Sequence, residues 1–267
     1  MRLFDGDRYL RQAEQYHEQY VRAEPFPHIV WDNYLPTEVC EGLLAEFPAP
    51  DAIDWLRFEK HHSKKLATRG DRQFGPFTQE VLRQFNEPAC LRVLEALTGI
   101  SGLISDPYYE GGGLHQIQTG GYLKVHVDFN VHPRLRLDRR INLLVYLNQD
   151  WREEYNGHFE LWDRNMTHCV KKVLPIYNRC VVFSTSDWSY HGHPEKLACP
   201  PTMTRKSLAL YYYTNGRPAE ERSQSHGTLW QERPSTQKNM SARLLRGVAT
   251  VLEQPARWLR SMATKMG

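Results

Sequence analysis

Gly121-Tyr122-Leu123-Lys124-Val125-His126-Val127-Asp128-Phe129-Asn130 is the stretch on which the reading of this chain turns. Tyr, Leu, Val and Phe favour the extended backbone, and the two glycines ahead of them punctuate a turn, so the stretch reads as a β-strand. Side chains two apart on a strand share a face, which sets the imidazole of His126 beside the carboxylate of Asp128. Such a pair makes up two thirds of a facial, two-histidine-one-carboxylate metal site. A His-x-Asp on a solvated surface has the same pattern, so the pair needs support from the rest of the chain.

Outward from that strand the period stays short. Leu103-Ile104, 114–118, 141–147, 158–162, 169–173, 180–183 and 207–213 all read as strands, separated by Gly, Asn, Asp and Pro. Many short strands at regular spacing signal a barrel or double-sheet jelly roll. Ahead of them the period is helical. Residues 6–23 carry Tyr9, Leu10, Ala13, Tyr16 and Tyr20 as one stripe, and Pro25 and Pro27 end it. Phe26 to Tyr34 is strand-like, and a helix opening at Pro36 or Thr37 runs to Phe47. Residues 78–98 give two helices end to end, divided by Pro88 and closed by Gly99. Residues 48–72 read as a long loop containing a small basic cluster, Lys60 to Lys65. The expected class is mostly β with flanking helices (α+β): a double-stranded β-helix, or jelly-roll, core with helices packed on one face.

At 267 residues the chain suits a single domain, 1–267. Its parts are an N-terminal helical support with a leading strand (1–100), a catalytic core (101–216), and a polar segment with a basic amphipathic helix (217–267). That helix, about 241–263, reads as docking on its own domain. A net charge of +3 is too small to argue for nucleic acid. Five cysteines, with no C-x-x-C pair among them, argue against a zinc ribbon or a disulfide framework and fit a reducing, cytoplasmic setting. No apolar stretch is long enough for a transmembrane span, and the N-terminus lacks the apolar run of a signal peptide. Sequence carries no signal for oligomeric state.

A third metal ligand has to come from another strand. Ser184 to Pro194 offers two histidines, His191 and His193, and spacing does not choose between them. Farther on, Arg205 stands at the mouth of an apolar and aromatic strand. A guanidinium there can grip a carboxylate bidentately, and a charge at the end of a solvated strand is the competing reading.

Taken together these motifs resemble the Fe(II)- and 2-oxoglutarate-dependent oxygenases, in their prolyl-4-hydroxylase-like branch. The resemblance rests on Gly121 to Asp128, Leu144 to Trp151, Gly157 to Trp162, and Phe183 to His191 followed by Arg205 and 207–213, about residues 110 to 214. It implies that His126, Asp128 and His191 hold Fe(II) and that Arg205, with Tyr146, binds the far carboxylate of 2-oxoglutarate. Many relatives have a cosubstrate-binding Tyr about ten residues before the first ligand. Here Gln116 and Gln118 occupy that stretch, and Gln118 is assigned the contact.

The reaction so implied consumes O2, converts 2-oxoglutarate to succinate and CO2, and hydroxylates an unactivated C–H, with ascorbate as assay reductant. The substrate would be a small molecule or a peptide: a prolyl or peptidyl residue, an amino acid or a sugar derivative. With Asp128 present no position is vacated for a halide, so hydroxylation is expected over halogenation. Two rival classes share the fold: a cupin-like isomerase or hydrolase using another metal, and a non-catalytic jelly-roll binding module.

Overall fold

The computed structural model describes residues 5–234. The expected helix at 241–263 lies outside them. Four helices and thirteen strands follow in chain order: α1 (Gly6–Val21), β1 (His28–Asp32), α2 (Thr37–Glu46), β2 (Leu56–Lys60), β3 (Ser63–Ala67), α3 (Pro76–Phe85), α4 (Pro88–Thr98), β4 (Ile104–Ser105), β5 (Gly113–Ile117), β6 (Tyr122–Val127), β7 (Asp138–Tyr146), β8 (Phe159–Trp162), β9 (Cys169–Val173), β10 (Arg179–Ser184), β11 (His191–His193), β12 (Arg205–Thr214) and β13 (Leu229–Trp230).

The strands form one antiparallel path, β1-β10-β7-β12-β5-β3-β6-β11-β8-β9, which curls until its two halves face each other. Ring contacts bridge the halves: Phe183 of β10 meets Phe159 of β8 at 5.3 Å and His191 of β11 at 4.7 Å between centroids. The result is the expected jelly-roll core.

Strand parity explains why β7, β10 and β12 are apolar on both faces. Ile141, Leu143 and Val145, with Cys180, Val182, Leu208, Leu210 and Tyr212, point outward and pack under the helices in one cluster. Asn142, Leu144 and Tyr146, with Phe183, Ser207 and Tyr211, point inward and line an internal chamber. Sheets covered on both faces lose the simple alternation of a half-exposed strand. Burying each large outward side chain is worth about 1.5–3 kcal/mol.

The helices end where their punctuation predicts. Gly99 takes a left-handed φ of +73° after α4 and donates its N–H to Glu95 O. α3 has no side-chain cap of its own. The Glu46 carboxylate at the end of α2 fills that role, accepting from Phe77 N at 3.0 Å and Thr78 N at 2.8 Å.

One expectation is overturned. Residues 48–72 are not a long loop, because β2 and β3 make a hairpin whose second strand pairs with both β5 and β6. Its charged residues alternate. Arg57, Glu59 and Lys64 point away, while Leu56, Phe58, Ser63, Lys65 and Ala67 face a cleft over the chamber. The apolar stripe of Leu56, Phe58 and Ala67 is short and interrupted by Ser63 and Lys65, so the charges hide its period.

Candidate metal centre and cosubstrate chamber

β6 and β11 run antiparallel, with His126 directly opposite His191. Asp128 follows the last residue of β6. Ligand atoms of His126, Asp128 and His191 all lie within 4.8 Å of one another, so strand pairing brings His191 from a distant part of the sequence onto the His126–Asp128 pair. His126 Nε2 is 3.5 Å from Asp128 Oδ1, and His191 Nε2 is 3.4 Å from Asp128 Oδ2.

Each imidazole is fixed by its own strand. His126 Nδ1 donates to Lys124 O at 2.8 Å, and His191 Nδ1 donates to Ser189 O at 2.8 Å. A carbonyl can only accept, so the proton sits on Nδ1 and the Nε2 lone pair is free. Both Nε2 atoms face the Asp128 carboxylate. Two neutral imidazoles and one carboxylate on one face form the donor set that suits Fe(II) with open positions.

Electrostatics hold the same protonation states. Burial pushes His126 down, and neighbouring His191 adds to it. Burial alone would push the Asp128 carboxyl up, but the Arg139 guanidinium and the imidazoles override it and hold it well below the usual carboxylate range. Arg139 Nη2 is 3.0 Å from Asp128 Oδ2, and Asn142 Nδ2 donates to the same oxygen at 2.7 Å. Oδ1 is left as the less committed oxygen.

At the closed end of the chamber sits Arg205, 4 % exposed, with its Nε donating to Gly157 O at 2.9 Å. Its guanidinium lies 4.8 Å from the Tyr146 ring centroid. The Tyr146 hydroxyl is buried and has no hydrogen-bond partner among the described residues. His193 has both ring nitrogens in the same condition and lines the same chamber. A guanidinium with no acidic partner among the described residues, beside a hydroxyl and an imidazole that lack hydrogen bonds, is a setting that a bound carboxylate would satisfy.

Residues 112–213 match the sequence profile of the 2OG-Fe(II) oxygenase superfamily. Over that stretch, the jelly-roll core, the chain is similar to the superfamily. That superfamily requires Fe(II), 2-oxoglutarate and O2, and the His126–Asp128–His191 cluster of this chain fits the metal.

Solved structures share its fold. A Pseudomonas putida prolyl-4-hydroxylase superposes with a TM-score of 0.54 at 17% identity, covering 76% of this chain and 100% of the other. A Trichoplax adhaerens prolyl hydroxylase, solved with a hypoxia-inducible-factor degradation-domain peptide, gives 0.51 at 17%, covering 78% and 91%. A Phytophthora capsici prolyl 4-hydroxylase gives 0.51 at 20%, covering 80% and 66%. No curated protein gives a significant match to the chain.

Strand parity separates the predicted site residues. His126, Asp128, His191, Arg205 and Tyr146 all face the chamber. Gln118 does not. It follows the last residue of β5, is exposed, and uses its carbonyl to accept from Gly121 N. On β5 the inward positions are His115 and Ile117, so even-numbered positions, Gln116 included, turn outward. Gln116 Nε2 instead donates to Pro48 O at 2.8 Å.

Four residues escaped the sequence reading. His115 was hidden by attention to its glutamine neighbours. Lys65 lay in the supposed loop. Arg139 and Arg140 close a run of arginines that starts at Arg134, and both are buried on β7. Their signal was available: the run leads without Gly or Pro into an apolar strand.

Above the chamber opens a cleft of about 410 Å³, lined by Phe58, Lys65, Tyr108, Phe129, Arg134 and Trp230 among others. Trp230 arrives on β13, which pairs with β6 so that Trp230 lies opposite His126. Its ring stacks on His62 at 4.8 Å and 10° and approaches His126 at 5.0 Å. Trp188 lies elsewhere, against Phe26 and Arg164. No helix among the described residues is long and apolar enough to cross a membrane.

Proposed function

We propose that the protein is a dioxygenase that hydroxylates an unactivated C–H of a small-molecule or peptidyl substrate while converting 2-oxoglutarate to succinate and CO2. The reading rests on one observation: three ligand groups converge at one end of a buried chamber and an acid-free arginine closes the other.

In this proposal His126, Asp128 and His191 hold Fe(II). Arg205 and the Tyr146 hydroxyl grip the far carboxylate of 2-oxoglutarate. Bound Fe(II) with 2-oxoglutarate and O2 supplies the oxidising power. The chain supplies the rest. Nδ1–H bonds to Lys124 O and Ser189 O aim two lone pairs at one point. Arg139 and Asn142 keep the Asp128 carboxylate ionised and oriented. Phe159, Phe183 and Leu144 keep water off the chamber wall, which strengthens every charge contact inside. The prolyl-hydroxylase fold favours a prolyl or peptidyl substrate as the first class to assay, with amino acids and sugar derivatives next.

The test is succinate formation from 2-oxoglutarate with Fe(II), ascorbate and a substrate panel. Anaerobic addition of 2-oxoglutarate to Fe(II)-loaded protein should raise a weak visible charge-transfer band. His126→Ala and Asp128→Ala should abolish both; turnover surviving either change would sink the assignment.

A further inference from the structure

Among the described residues that line the chamber and cleft, Lys65 and Arg205 are the cations with no acidic partner. Arg139 faces Asp128 at 3.0 Å, Arg69 faces Asp54 at 3.2 Å, and Arg134 faces Glu110 at 4.0 Å. Arg205 is committed to Gly157 O and, in the proposed function, to 2-oxoglutarate. Lys65 has no acidic partner within 4.0 Å among the described residues, and its ammonium lies 5.2 Å from the Phe58 ring centroid.

Its position is specific. Lys65, Leu123, His126, Asp128 and Tyr211 are the residues shared by the chamber and the cleft, so Lys65 stands at the threshold between them. The hairpin register puts it there. β3 pairs with β6 at Ser63 and Lys64 and with β5 at Leu66 and Ala67, which leaves Lys65 inward and Lys64 outward. Burial pushes its ammonium down to about 8, opposed by Asp128, so it stays mainly protonated at neutral pH.

Charge balance gives the same direction. With Fe(II) and dianionic 2-oxoglutarate in place, the metal, Lys65, Arg139 and Arg205 together exceed Asp128 and the cosubstrate by two positive charges. A half-buried, uncompensated ammonium at the entrance to such a site attracts an anion. The walls beside it are flat and apolar: Phe58, Tyr108, Phe129 and Trp230.

We propose that the substrate is a small anion, a carboxylate or phosphate on a ring-sized body, whose charged group pairs with Lys65 while its body rests on the aromatic walls of the cleft. This rests on the oxygenase reading and narrows its substrate class.

The experiment is calorimetric titration of Ni(II)- and 2-oxoglutarate-loaded protein with matched probes. N-acetyl-L-proline against N-acetyl-L-prolinamide tests a carboxylate, and D-glucose 6-phosphate against D-glucose tests a phosphate. In at least one pair the anion should bind about tenfold or more tightly than its neutral partner. Lys65→Met should erase that preference, Lys65→Arg should retain it, and Lys64→Met on the outer face should leave it unchanged. In Lys65→Met the anaerobic Fe(II)–2-oxoglutarate band should titrate as in wild type. Equal or absent binding in both pairs, or a preference that survives Lys65→Met, overturns the proposal. A Lys65→Met protein that keeps the preference for anions but binds 2-oxoglutarate weakly makes Lys65 a cosubstrate ligand and overturns it too. Failure of the oxygenase reading is separate: wild-type protein would then show no band with Fe(II) and 2-oxoglutarate.

Discussion

Arg139 Nη2 stands 3.0 Å from Asp128 Oδ2, and the same guanidinium lies 3.5 Å from the Tyr211 ring centroid and 4.5 Å from that of Phe129. Asp128 is thus supported from behind by a buried cation clamped between two rings. Groups that orient a metal ligand commonly matter about 10–100-fold in affinity. Arg139→Met should weaken Fe(II) or Ni(II) binding by about that factor, read by calorimetry. Arg139→Lys should recover only part of it, because an ammonium cannot reproduce the planar stack. Unchanged metal affinity in Arg139→Met would show that the pair has no hold on the ligand.

Gly157 governs the far anchor through its backbone. Its φ is +78°, and a Cβ there would come 2.6 Å from Leu197 Cδ2 and 3.1 Å from Arg205 Cδ. Its carbonyl also accepts from Arg205 Nε. Gly157→Ala should therefore displace the guanidinium without touching the metal ligands. KM for 2-oxoglutarate should rise about tenfold or more while metal affinity holds. A KM equal to wild type would mean that Arg205 does not set cosubstrate binding.

The Glu46 cap predicts a pH-dependent stability. Burial would raise its carboxyl, but the Thr78 and Phe77 N–H groups outweigh that and lower it in the folded state. A depressed folded value means stabilisation that is present above the unfolded value, about 4.3, and lost as pH falls through the folded one. Glu46→Ala should cost about 1 kcal/mol at neutral pH. In paired urea titrations the gap between wild type and variant should close as pH falls below about 4. Gly75→Ala should mimic the loss, since a Cβ there would sit 2.3 Å from Glu46 Oε2.

Trp230 closes the cleft beside His126, stacked on His62. Removing it admits water near the metal ligands while leaving the ligands themselves in place. Trp230→Ala should raise the ratio of succinate formed to substrate hydroxylated, since a wetter site loses coupling. An unaltered ratio would assign Trp230 to stability alone.

Much of this fold was legible because helix punctuation and strand period survive in sequence. Pro88 does separate α3 from α4, Gly99 does end α4, and nine expected strands appear within a few residues of their expected bounds. The metal cluster was legible because a strand fixes the parity of His126 and Asp128. His191 could be placed only by resemblance, since β11 is three residues long and carries a histidine at each end. What failed was a placement by resemblance alone: Gln118 lies beyond β5 and is exposed. What went unseen was the β2–β3 hairpin, whose inner face mixes Leu56, Phe58 and Ala67 with Ser63 and Lys65. β13 was missed as well, because two residues have no period to read.

The two histidines that meet on β6 and β11 approach the centre from opposite sides of a cross-strand pair, each braced by a carbonyl of its own chain segment. An ion seated there would act as a removable staple across the short β6–β11 pairing. Occupancy and folding are then a single equilibrium: whatever strips the ion loosens the seam between these strands, and whatever frays the seam releases the ion.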